Sequence, residues 1–166
     1  MTANSFWDFS NALYARDTVE QACLTLQNEH GLDVNIVLFC LWYGAHYGSL
    51  SPAKMQQLFN FSDTWASRVV RPLRDSRRWM KSQSLFSSVT AEDIEELRTA
   101  IKRLELQAEQ LQQNEMESLV KEGPAENSKH PPEAMMDNLL AYLKQLALVP
   151  KPQLIDCYQV IMDAMD

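Results

Sequence analysis

Arg68, Arg71, Arg74, Arg78 and Lys81 recur at spacings of three and four residues. On a helix that spacing lines them along one face, where they can hold phosphate groups, nucleic acid or an acidic protein surface. Trp65, Val69, Leu73 and Met80 fall on the opposite stripe. Residues 61–90 carry six Lys or Arg and two Asp or Glu, net +4, while residues 91–166 carry seven and fifteen, net −8. The basic face therefore has two candidate counterparts, the chain's own acidic rear part and an acidic partner protein. Nucleic acid ranks behind both, because the flanks are acidic and the whole chain stands at −7.

Other chemistry-bearing residues are sparse. His30, His46 and His130 form no HxxxH, HExxH or Glu-x-x-His, so no metal site is expected. Cys23, Cys40 and Cys157 form no CxxC and read as buried, reduced thiols. No nucleophile elbow, phosphate-binding loop or dinucleotide fingerprint is present, so no catalytic residue and no cofactor is expected. Glu92 with Glu96, and Glu105 with Glu109, have the i, i+4 spacing by which carboxylates share a magnesium ion, but on a polar helix they read as a solvated face. Asp33 is well placed for a pocket, yet a helix cap accounts for it without function. An alternative site lies among the early aromatics. Trp7, Asp8, Trp42, Tyr43 and His46 can line a pocket between helices for a small or phosphorylated molecule, although core packing accounts for most such aromatics.

The elements that must position these residues are helical. The expected fold is all-α, a compact bundle around a buried central helix, with a longer amphipathic helix and two C-terminal helices. A chain of 166 residues suits one domain or one domain with a helical extension, and only 4 glycines argue against a turn-rich β fold. A short helix over Ser5 to Tyr14 is followed by Asp17, an N-cap with Glu20 in a capping box, and Gly31 ends the second helix. Asp33 opens a segment to Tyr47 that is apolar on every side and belongs at the centre. Ser51-Pro52 starts the next helix. A turn is predicted over Asn60 to Asp63, then a helical segment over Thr64 to Lys81 in which Pro72 makes a kink or the meeting of two helices near Arg71.

The domain organisation expected is a helical core over 1–81, a connection over 82–90 and a long helix over 91–121. A flexible linker over 122–132 leads to two C-terminal helices over 133–166 that pack on the core. Ile94, Leu97, Ile101, Leu104, Ala108 and Leu111 make a short a/d seam on the long helix. The seam either packs on the body or joins two copies, which predicts a monomer or weak homodimer. With no signal peptide and no membrane-length apolar run, the expected location is cytoplasmic, with no membrane contact.

Phe6-Trp7-Asp8-Phe9, Gly31-Leu32-Asp33-Val34-Asn35, Leu41-Trp42 and Val70-Arg71-Pro72-Leu73-Arg74 with Arg77-Arg78 carry a resemblance. The chain resembles a family of small proteobacterial proteins of unknown function, over about Phe6 to Lys81. The resemblance implies a helical bacterial protein and assigns no activity and no catalytic residue. The reading that follows is a protein–protein interaction or regulatory module using the basic face. The alternatives are the small-molecule pocket and, third, nucleic-acid binding.

Overall fold

The all-round apolar segment does take the centre. The structure, a computed structural model that describes residues 5–81, 87–120 and 130–165, buries every residue from Asn35 to Gly44. Around this helix, α3 (Val34–His46), stand α1 (Phe6–Tyr14), α2 (Asp17–His30), α4 (Pro52–Trp65), α5 (Arg71–Lys81), α6 (Ala91–Val120), α7 (Pro131–Gln145) and α8 (Pro152–Asp163). No strand occurs among the described residues. The most extensive packing is α3 on α7, followed by α2 on α8 and by α5 and α4 on α6. The α3–α7 approach is close because Gly44 has no side chain: a Cβ there would lie 2.7 Å from the backbone N and Cα of Met135. Gly44 is therefore a packing position inside α3.

Local chemistry sets the helix ends. Gly31 closes α2 in the left-handed conformation at φ 69°, and its N–H donates to the Leu26 carbonyl. The Asp33 side chain caps α3 by accepting from the Asn35 N–H at 2.9 Å. Asp17 is the first residue of α2 rather than its cap, a position held by Arg16 without a side-chain bond. Thr90 and Asp93 form a reciprocal capping box at the start of α6.

The turn expected over Asn60 to Asp63 is absent, because α4 runs through it to Trp65. Pro72 has no N–H to bond the carbonyl four residues back. The chain answers with a π segment over Ala66–Val70, in which the Arg71 N–H reaches the Ala66 carbonyl, five residues back. Thus α4, the π segment and α5 make one rod over residues 52–81.

On α6 the orientation departs from the seam reading. Leu97, Leu104 and Leu111 are 50%, 52% and 53% exposed, and Ile94 and Ile101 are half-buried. The inward line is Glu105, Ala108, Gln112, Met116 and Val120. No helix among the described residues is long and apolar enough to cross a membrane. The expected linker over 122–132 falls outside the described residues up to residue 129, and α7 already starts at Pro131. Of the expected connection over 82–90, residues 82–86 lie outside them too.

Candidate functional site

A cleft of about 890 Å³ opens where α1, the α2–α3 turn, α5 and α6 meet. The rod positions its basic wall, since the helical spacing of α5 turns Arg71, Arg74, Arg77 and Arg78 toward it. The opposing wall carries Asp33 and Asn35 at the start of α3, with Trp7 and Tyr14 from α1. From α6 come Glu105, Glu109, Gln112 and Gln113.

Two of the arginines are committed to the chain's own acids. Arg74 donates from Nε to Glu105 at 2.9 Å, from a terminal nitrogen to Glu109 at 2.7 Å, and from the other to Gln27 at 3.1 Å. Arg77 donates from Nε to the second Glu105 oxygen at 2.8 Å. One carboxylate thus bridges two guanidiniums in a largely buried setting, the geometry that makes such bonds strong. Burial pushes the Glu105 carboxyl up, but the hydrogen bonds from Arg77 and Arg74 outweigh it and hold the carboxyl below its ordinary range. Glu109 ends above its ordinary range, because burial outweighs the pull of Arg74 and Glu105 and Asp33 add repulsion. The i, i+4 spacing of Glu105 and Glu109 on a polar helix predicts a solvated face. They are instead the internal counter-ions of the basic helix.

The other cations are less bound. Arg71 meets Asp63 at 3.5 Å, with both side chains about half exposed. Arg68, Arg78 and Lys81 are exposed and have no ion pair among the described residues. The basic face is therefore split into an internal part, Arg74 and Arg77, and an open part that includes Arg71 and Arg78 at the cleft.

Behind the opposing wall runs a buried polar chain. The Ser10 hydroxyl donates to Gln113 at 2.6 Å, Gln113 donates to Asn35 at 2.7 Å, and Asn35 donates to Gln112 at 3.1 Å. Gln112 then donates to Ser62 at 2.7 Å and to the Asp33 carboxylate at 3.0 Å. Ser62 donates to the same carboxylate oxygen at 3.0 Å. Each amide passes its donor toward Asp33, so the network orients neutral dipoles on one negative charge. Burial pushes the Asp33 carboxyl above its ordinary range, against the downward pull of Asn35, Ser62, Gln112 and the Arg71 charge. The Asp33 N–H donates to the Tyr142 hydroxyl at 2.9 Å, which ties the site to α7.

The structure distributes the sequence-predicted aromatic pocket. Trp7 lines the cleft. Trp42 and Tyr43 are buried in the core, where the Trp42 ring lies 5.6 Å from Phe6 and 5.4 Å from Phe39. His46 sits at the exposed end of that cluster, 6.0 Å from Trp42, and partial burial lowers its pKa. Asp8 is spent on the start of α1, where it accepts from the Ser5 hydroxyl. Sequence reasoning passed over Asn35, Ser62, Gln112 and Gln113. The signal was the spacing of Glu105, Ala108, Gln112, Met116 and Val120, a second helical stripe beside the leucine seam. Cys23 and Cys40 are buried free thiols, and burial pushes Cys23 up to about 12. Among the described residues no group of His, Cys, Asp and Glu could hold a metal ion.

A family described as Protein of unknown function (DUF2390) matches residues 5–116. The chain belongs to this family. The match extends past the front half, to which the resemblance was confined, and runs through most of α6. It takes in every residue that lines the cleft, whereas α7 and α8 lie beyond the DUF2390 match. No curated protein and no solved structure matches the chain.

Proposed function

We propose that the chain is a small-molecule binding module whose ligand is a small molecule bearing a phosphate or carboxylate, held in the cleft between α1, α3, α5 and α6. The observation that carries this reading is the convergence of Arg71 and Arg78, cations without a buried partner, on a polar cleft with room for a metabolite. Guanidiniums suit such anions because their paired N–H groups meet two oxygens at once. The rigid backing matters too. Arg74 and Arg77 are clamped to α6, so the wall that carries Arg71 and Arg78 is preorganised.

The test is a titration of the isotopically labelled chain with ethyl phosphate and with propionate, read by amide chemical shifts. Shifts concentrated at the cleft, with affinities of about millimolar for fragments this small, are expected. Replacing both Arg71→Gln and Arg78→Gln, two exposed positions, removes them. Shifts scattered over the surface, or unaltered in the double variant, overturn the reading.

A second reading concerns partners. Leu97, Leu104 and Leu111 stand seven residues apart and half or more exposed on α6. One heptad position left open in this way, beside the half-buried Ile94 and Ile101, favours a weak homodimer through that seam. Docking of an acidic partner on Arg68, Arg71, Arg74, Arg78 and Lys81 is less well supported, because Arg74 already spends its three nitrogens inside the chain. Nucleic-acid binding loses the same cation.

A further inference from the structure

The charges on the cleft wall balance. Arg71, Arg74, Arg77 and Arg78 face Asp33, Asp75, Glu105 and Glu109. Once Arg74 and Arg77 are assigned to Glu105 and Glu109, the residues left for a ligand are of both signs, Arg71 and Arg78 against Asp33 and Asp75. Asp33 is the informative one. Its two oxygens accept from the Asn35 N–H, the Ser62 hydroxyl and the Gln112 amide, all of them neutral donors. A carboxylate offers about four acceptor positions, so one remains. Among the described residues no cationic nitrogen comes within ion-pair distance of it.

Resting on the small-molecule reading above, we infer that the ligand is a zwitterion, with a phosphate or carboxylate for Arg71 and Arg78 and a protonated amine for Asp33. A purely anionic ligand would bring a second negative charge toward Asp33 and Glu109 in a partly desolvated cleft, which is unfavourable. A ligand amine supplies the directly bonded cation that Asp33 lacks, beyond the longer-range pull of Arg71 and Arg74, in a charge-assisted bond to its free acceptor position. A wall that offers charges of both signs is matched by a ligand that carries both.

Matched probes test this on the whole chain. O-phosphoethanolamine is compared with ethyl phosphate, and β-alanine with propionate, each pair differing in the amine. The amine-bearing member of at least one pair is expected to bind roughly tenfold tighter, and to shift the Gln112 side-chain amide and the Asn35 N–H. Asp33→Asn is expected to abolish the preference of the amine-bearing probe over its plain partner. Where that variant fails to fold, the wild-type preference and the Gln112 shift still decide. Cleft binding of the plain anions with no gain from the amine overturns the zwitterion and leaves the small-molecule reading standing. No cleft binding by any of the four probes overturns both.

Discussion

At Glu105 two guanidiniums share one carboxylate, and the consequence is a stability that depends on pH. Its folded-state pKa lies below the ordinary value, with burial opposing and the arginine hydrogen bonds prevailing. Stability from such a group is fully present above the unfolded-state pKa and is lost as pH falls through the lower folded-state value. Glu105→Gln should therefore cost about 2 to 3 kcal/mol near neutral pH. That is less than the roughly 3 to 5 of a fully buried pair, because Arg74 keeps Glu109 and Gln27. The difference from wild type should shrink as the solution is acidified below the ordinary carboxylate range. Urea unfolding of both proteins across that range checks it, and a pH-independent difference would contradict the assignment. The charge imbalance named the chain's own acidic rear part as one candidate counterpart, but which arginines meet which glutamates was not legible in the sequence. A glutamate at i, i+4 from another glutamate looks the same whether water or arginine faces it.

Among the elements, α3 was the most legible and α6 the least. An apolar surface on all sides has only one place to go, so α3 was assigned to the centre from composition alone. Its closest contact was not foreseeable, because Gly44 reads as a helix weakener until α7 is laid against it. Gly44→Ala should destabilise the chain by about 1 to 3 kcal/mol, despite the better helix propensity of alanine, since the new methyl group meets Met135 backbone at 2.7 Å. A thermal melt showing Gly44→Ala at or above wild-type stability would disprove the close approach. On α6 the apolar a/d seam left packing on the body and pairing of two copies both open. The tertiary structure instead buries the stripe with amides, because Ser10, Asn35, Ser62 and Asp33 satisfy every one of them.

For the whole molecule, α7 and α8 complete the core rather than extend it. Leu139, Tyr142, Leu143, Leu154, Tyr158 and Ile161 are all buried. Burial of that kind contributes roughly 1.5 to 3 kcal/mol per large side chain. Summed over six, it is comparable with the total stability of a small domain, about 5 to 15 kcal/mol. What the completed body leaves outside is the leucine line of α6. If two copies meet there, the mass measured by sedimentation equilibrium rises with concentration. Replacing Leu97, Leu104 and Leu111 together by Gln should hold the chain at monomer mass. Each change should alter stability by no more than about 0.5 kcal/mol, as expected for surface positions. A wild-type chain that stays monomeric at hundreds of micromolar would dismiss the seam as an interface.

Periodicity, caps and composition sufficed for the helical class, the central place of α3, the end of α2 at Gly31 and the disturbance before Pro72. These are local or all-or-none properties, set by residues within a turn of one another or by an apolar surface too extensive for water. The direction in which α6 faces, the partition of the arginines into internal and open ones, and the gathering of Asp33, Gln112 and Arg71 on one cleft came only with the tertiary structure. Each depends on residues about 30 to 80 positions apart. Their bonds become favourable once packing has excluded water and brought donor and acceptor together.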